Sequence, residues 1–299
     1  MKRQKIKLDP IDFTIRGTTY VAMTIASVIC LVPFLLLLGS SFTSEGSIRT
    51  NGFNIIPREF STHAYEILLI APEQMIGAYI VTISMTAVGT AAGLFLIAMT
   101  GYALSRRDFP FRNQISFYIY FTTLFSGGLV PFYLLVVRTY NLRDSYLAVL
   151  LPLMLSPWLI ILMKNFAKAI PFEITESGKI DGATDFRIFT ALILPMLTPA
   201  LATIGLFLAI GYWNEWYFSS LFLTSNVTYR PLQFHLYNII NRVEFMRNSI
   251  AAAQIPPHEL PGESLKMATA MLATGPIIFA YAFVQKYFIA GITVGAVKG

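Results

Sequence analysis

Six stretches of the chain are almost free of charge and mostly apolar: residues 21–41, 77–104, 115–137, 146–163, 198–223 and 265–287. A helix that crosses a bilayer needs about 20 such residues. Strands of a membrane barrel would alternate apolar and polar over about ten residues, and these stretches do not alternate. The pattern predicts an all-α polytopic membrane protein with six transmembrane helices, forming one transmembrane domain over residues 1–299. Pro33, Pro131, Pro152, Pro157 and Pro276 fall within or beside these stretches. Each removes a backbone donor and tends to kink its helix, which neighbouring helices in a bundle can accommodate.

The connections set the orientation. Lys2, Arg3, Lys5, Lys7 and Arg16 precede or open the first span, and Arg106, Arg107 and Arg112 lie between spans two and three. Both segments read as cytoplasmic by the excess of Lys and Arg. Residues 42–76 carry Glu45, Glu59, Glu66 and Glu73 against Arg49 and Arg58, and read as external. Both termini, and the segment between spans four and five, then lie in the cytoplasm. The external connections 42–76 and 224–264 are long. The first has a short helix starting near Ser61, with Tyr65, Ile67 and Leu68 as its apolar side. Pro256, Pro257, Pro261 and Gly262 break the second before span six. Either connection is a tether or a docking surface for an external partner.

Composition agrees. The chain is 55% hydrophobic and 13% charged, where soluble domains carry about 25% charge. Its net charge of +6 is concentrated beside apolar spans, so orientation in the membrane explains it and nucleic-acid binding does not. Cys30 is the single cysteine and sits in an apolar run, which excludes an internal disulfide framework. The basic N-terminus leads into a stretch longer than a signal-peptide core, and reads as an uncleaved first span.

Residues 164–195 are too polar for lipid and too long for a minimal connection. They carry Lys164, Lys168, Glu173, Glu176, Lys179, Asp181, Asp185 and Arg187. Pro171 can open a helix, Ile180, Ala183 and Phe186 are spaced to share a helical face, and Asp181-Gly182 favours a turn or helix end. Such a unit lies on the membrane interface or inserts into a partner.

Within it, Glu176-Ser177-Gly178, three residues, Gly182, nine residues, Leu192, one residue and Leu194-Pro195 resemble the EAA loop of ABC importer permeases, whose pattern is Glu-Ala-Ala, Gly, Ile and Leu-Pro at the same spacing. Ser177 and Gly178 replace the alanines and Leu192 the isoleucine, so small stays small and aliphatic stays aliphatic. Gln285-Lys286-Tyr287-Phe288, Gly291 and Gly295-Ala296-Val297-Lys298-Gly299 resemble the end of permeases for di- and oligosaccharides, and Trp213-Asn214-Glu215-Trp216 resembles their Trp-Asn pair. Within that group the likeness runs toward permeases associated with complex polysaccharide fragments.

The resemblance implies a subunit of the cell membrane that forms half of a permease heterodimer. The implied partners are a homologous second permease, a cytoplasmic ABC ATPase dimer and an extracellular or periplasmic solute-binding protein. Residues 164–195 would hold a coupling helix that docks in the ATPase. Glu176, Ser177, Gly178, Asp181, Gly182, Ala183, Asp185, Phe186 and Pro195 would carry that coupling, with Ala183 and Phe186 as apolar contacts. ATP and Mg would be bound by the partner. The chain's only Gly-Lys pair, Gly178-Lys179, is followed by Ile180, whereas a phosphate loop needs Ser or Thr there. No catalytic triad or metal-ligand spacing is present, and His63, His235 and His258 fall in external segments or at their margins. The chain thus reads as a permease and not as an enzyme.

Glu215 is the one charged residue well inside a span, and it lies among Tyr212, Trp213, Asn214 and Trp216. Aromatic faces beside amide and carboxylate groups suit sugars, which makes these five a candidate substrate path. A hydrogen bond between helices of the bundle accounts for Glu215 equally well. An ion-coupled secondary transporter is the rival reading for the whole chain. It often shows inverted repeats, and none is visible.

Overall fold

The computed structural model describes residues 10–224, 227–248 and 262–278. Among these the regular elements are helices: α1 (Pro10–Ser41), α2 (Glu45–Asn51), α3 (His63–Leu68), α4 (Pro72–Ser105), α5 (Arg112–Leu124) and α6 (Leu129–Leu134), which a π-helical turn at Leu135–Thr139 extends. There follow α7 (Tyr146–Met154), α8 (Pro157–Ala167), α9 (Glu173–Ile180), α10 (Asp185–Ile188), a second π turn at Phe189–Ile193, α11 (Leu194–Met196), α12 (Thr198–Trp213), α13 (Tyr217–Phe222) and α14 (Leu232–Asn248). Residues 263–278 form α15. The chain divides into two compact units, residues 1–70 with 240–274 and residues 71–239 with 275–299.

In the first unit, residues 15–35 of α1 are exposed throughout. The hydroxyls of Thr19, Thr24 and Ser27 each donate 2.8 Å bonds to the carbonyl four residues earlier. The helix therefore offers lipid an apolar surface with its polar groups already satisfied. A Cβ at Gly39 would strike the Ile55 carbonyl, so the returning chain crosses the end of α1 closely. Phe42 stacks on Tyr65 and Phe60, and the Tyr65 hydroxyl donates to Ser41 Oγ at 2.9 Å. Glu45, only 6% exposed, accepts from the backbone N–H groups of Gly262, Glu263 and Ser264 at 2.9, 2.9 and 3.1 Å. A carboxylate thus caps the start of α15, where free N–H groups and the helix dipole favour negative charge. Burial pushes Glu45 up, but the bonds from Gly262 and Ser264 and its pairing with Arg49 outweigh burial and hold it below the ordinary range.

The second unit is built on α4, which spans about 50 Å at 1.5 Å per residue and packs against α7, α8 and α12. Gly89, Gly93 and Gly101 lie along α4 where a Cβ would meet Tyr212, Met154 and Met163 respectively, so small residues let the partner helices approach. Ile97, Tyr102, Met163, Ile188, Phe189 and Ile204 form the heart of the core beside them.

Two helical stretches are individually long and apolar enough to cross a membrane, Ile15–Ser41 and Pro72–Ser105. Two further predicted spans are bent, and a third begins at a bend. The stretch 115–137 breaks by 114° between α5 and α6, where Gly127-Gly128 adopts φ +89° at Gly128 and Pro131 follows. The stretch 146–163 bends by 40° before Pro157, which disfavours helical backbone at Ser156. The stretch 198–223 turns by 85° from α10–α11 at Leu197 and is interrupted again at residues 214–216. Span six is helical as far as residue 278. Its remainder, the C-terminal motif at 285–299, Pro256, Pro257, Pro261, His258 and the N-terminal Lys2, Arg3, Lys5 and Lys7 lie outside the described residues. The short helix near Ser61 is α3. The connection 224–264 contains α14, a helix not expected from its sequence, although Leu232, Leu236 and Val243 are buried at helical spacing along it.

Candidate functional site

Residues 173–196 fold as one compact device. α9 has Glu173 and Glu176 in its first turn and Lys179 in its last, which complements the helix dipole. Thr175 and Gly178 face inward and are buried; Glu176 and Ser177 face outward. The Tyr102 hydroxyl and Thr175 Oγ1 lie 3.1 Å apart and share a hydrogen bond, which ties α9 to α4. A Cβ at Gly178 would sit 2.9 Å from Ile188 Cγ1 and 3.2 Å from Leu192 Cδ1, so glycine sets how closely α9 lies on the following segment.

α9 closes in a Schellman motif. The Ala183 N–H donates to the Gly178 carbonyl at 2.9 Å and the Gly182 N–H to the Lys179 carbonyl at 3.0 Å, with Gly182 at φ +76°. That left-handed position is the one where glycine avoids a steric cost. Thr184 then accepts from the Arg187 N–H at 3.4 Å and starts α10. This turn corrects one expectation. Ile180, Ala183 and Phe186 do not share a helical face, because the chain reverses at Gly182 between them. Ile180 is 86% and Phe186 61% exposed, while Ala183 packs partly buried against the core. Pro195 follows the π turn at Phe189–Ile193. A proline ring clashes with the carbonyl four residues back and supplies no N–H, and the wider π turn accommodates both.

An ion network anchors this device to the loop after α4. Arg106 bonds Asp108 and Asp185, each at 2.6 Å, and Lys179 bonds Asp108 at 2.9 Å. The Arg106 guanidinium, with Lys179 beside it, holds the Asp108 carboxyl well below the usual carboxylate range. Asp185, expected as a contact for a partner, is thus engaged within the chain. The sequence offers Arg106 only as a charge that sets orientation, and no local spacing reveals a partner 71 or 79 residues away. Exposed around the turn are Glu176, Ser177, Ile180, Asp181, Phe186 and Arg187, and Asp185 is exposed too, with its carboxylate held by Arg106.

The aromatic cluster divides in two. Tyr212 is buried and its hydroxyl donates to the Leu150 carbonyl at 2.8 Å. Glu215, 7% exposed, accepts from the N–H groups of Phe218 and Ser219 and from the Ser219 hydroxyl. From the position before the N-cap Trp216 it satisfies the first turn of α13, within its own segment, which accounts for its burial. Trp213 is half-buried. Asn214 and Trp216 are exposed; Asn214 Oδ1 accepts from Gln233 at 3.3 Å, and Trp216 lies 4.7 Å from Tyr237, ring to ring.

No family model matches the chain. It is 36% identical over 275 residues to the polygalacturonan/rhamnogalacturonan transport system permease protein YtcP of Bacillus subtilis, covering 91% of this chain and 94% of that protein. It is 34% identical to protein LplC of the same organism, covering 91% and 90%, and 26% identical to the trehalose/maltose transport system permease protein MalG of Thermococcus litoralis, covering 91% and 93%. Its fold matches a solved bacterial ABC transporter involved in import of the acidic polysaccharide alginate, with TM-score 0.75 and 27% identity over 94% of this chain and 98% of that one. Likeness of this extent along nearly the whole length, on an all-helical frame with the EAA-like turn intact, has one consequence: the chain belongs to the family of ABC importer permease subunits.

Proposed function

We propose that the chain is the membrane-embedded permease subunit of an ATP-driven importer for a sugar, an oligosaccharide released from complex polysaccharide. The observation that carries this reading is the 36% identity to a polygalacturonan/rhamnogalacturonan permease over 91% of the chain. The subunit sits in the cytoplasmic membrane with six spans and both termini inside. It pairs with a homologous second permease, receives sugar from an external solute-binding protein, and is driven by a cytoplasmic ATPase dimer that holds ATP and Mg.

The outward residues Glu176, Ser177, Asp181, Ile180 and Phe186 contact that ATPase. Gly178, Gly182, Ala183, Asp185 and Pro195 shape and anchor the unit that presents them. Because Tyr102, Arg106 and Asp108 tie this unit to α4, a push on α9 and α10 reaches the bundle through a hydrogen bond and two charged contacts as well as through packing. ATP shifts the importer between two states by binding one better than the other. Sugar passes the exposed side of the aromatic cluster, where Asn214 and Trp216 offer an amide and a ring face. Tyr212 and Glu215 hold that cluster in place, and Trp213 lies between the two sides.

The test is purification in mild detergent, identification of co-purifying chains, and uptake of labelled oligogalacturonides by the reconstituted assembly. Uptake that needs ATP and the binding protein, and survives collapse of ion gradients, is the expected result. Uptake by this chain alone, driven by an ion gradient, would replace the proposal with an ion-coupled carrier.

A further inference from the structure

A cavity of about 580 Å³ opens beside α9, in the unit built on α4. Its walls come from the end of α4, the start of α5, the end of α8 and the turn before α9. Five cations line it: Arg106, Arg107, Arg112, Lys164 and Lys168. Glu173 is the one carboxylate among the lining residues. Arg106 is neutralised by Asp108 and Asp185. The other four make no ion pair with any described residue. Lys164 spends one of its three protons on Ser116 Oγ at 2.6 Å, and Arg112 donates to the Arg106 carbonyl at 3.3 Å.

Like charges gathered round one cavity repel, and the packing of α5 and α8 with the turns after α4 and α8 holds these in place. The arrangement is favourable when an anion sits between them. A halide is too small for a space within the usual range of small-molecule sites, roughly 300–1,000 Å³. A phosphate group offers several acceptor oxygens and up to about two negative charges. Guanidinium groups meet it as a fork and lysines as point charges. We propose that this cavity binds a phosphate-bearing anion next to the coupling segment.

Two sources share this chemistry, a phospholipid headgroup and a soluble phosphate compound. Arg112 and Asn113 begin α5, which has no buried residue and carries the exposed apolar side chains of Ile115, Phe117 and Phe121 in the turns that follow. Acyl chains could lie along that face while the headgroup occupies the cavity. Because Thr175, Pro171 and Phe172 also line the cavity, an occupant would brace the turn on which α9 is mounted.

The experiment uses the full chain in nanodiscs of phosphatidylcholine, with or without phosphatidylglycerol. Lipid retained on the protein is read by native mass spectrometry and the unfolding midpoint by fluorescence. Inorganic phosphate is titrated into the phosphatidylcholine discs. Selective retention of phosphatidylglycerol, with no response to phosphate, assigns the site to a headgroup. A midpoint raised by phosphate assigns it to a soluble compound. In either case Lys164→Gln with Arg112→Gln should weaken binding by about tenfold per lost charge-assisted bond. Should that variant fail to fold, Arg107→Gln with Lys168→Gln, both at exposed positions, removes charge without touching the Ser116 bond. The proposal is overturned if neither probe binds the wild type, or if binding is unchanged in a folded variant. Since the readout is binding and not uptake, it stands or falls separately from the transport reading.

Discussion

Gly182 shows how much one residue decides. Its φ of +76° closes α9 and turns Ile180 and Phe186 onto an exposed surface. A β-branched side chain there costs about 1–2 kcal/mol in backbone strain, while the Cβ itself meets nothing within 4 Å. Gly182→Val should therefore fold, but with ATP hydrolysis uncoupled from uptake; an unchanged ratio of sugar imported to ATP hydrolysed would remove this turn from the mechanism. Glu215→Ala strips the first turn of α13 of its carboxylate and leaves buried N–H groups unpaired, at about 1–3 kcal/mol. A lowered unfolding midpoint, with Glu215→Gln falling between, is the expected outcome. Asp108 supplies a pH dependence. Its folded pKa lies below its unfolded value near 4, so its pairing with Arg106 and Lys179 stabilises above about pH 4 and is lost as pH falls further. Asp108→Asn should flatten the acid limb of the stability curve. The glycine turn was legible in the sequence because Asp-Gly at the end of a polar helix has a local cause. The role of Glu215 was not, since a carboxylate in an apolar run has the same appearance whether it faces substrate or the N–H groups just after it.

Among the elements, the bends have local causes acting in company. Gly127-Gly128 and Pro131 break the third span, and Pro157 bends the fourth. Pro195 follows a π turn and precedes an 85° bend, so the segment from Asp185 to Met196 runs across the direction of α12 instead of extending it. Each proline was visible in the sequence. The size of each bend was not, because it depends on which neighbours satisfy the freed backbone groups. α14 was hidden for another reason: its buried positions Leu232, Leu236 and Val243 are diluted by Gln233, His235, Asn238 and Asn241, so the polar count of the loop masked its period. The seat of α9 supplies the test at this scale. Gly178→Leu forces a side chain against Ile188 and Leu192, an overpacking worth about 1–3 kcal/mol. Trypsin should then cut at Lys179 sooner in the variant than in the wild type; equal rates would mean that α9 does not depend on this contact.

For the whole molecule, the proposed six-span orientation rests on the apolar surface of α1 and on the basic and acidic connections. With Cys30 replaced by Ala, a cysteine at Ser177 should react with an impermeant maleimide only in inside-out vesicles, and one at Thr62 only in right-side-out cells. The reverse pattern, or both from one side, would overturn the six-span orientation. The helical class, the family and the EAA-like turn were legible in the sequence alone, because each depends on hydropathy or on residues within about twenty positions of one another. Only the tertiary structure decided that Arg106 and Asp108 brace α9, that Glu45 caps a helix more than 200 residues later, and that unpaired cations from α5, from α8 and its end, and from the turn after α4 line one cavity. Those contacts join residues far apart in the chain, and no local pattern encodes which distant groups packing will bring together.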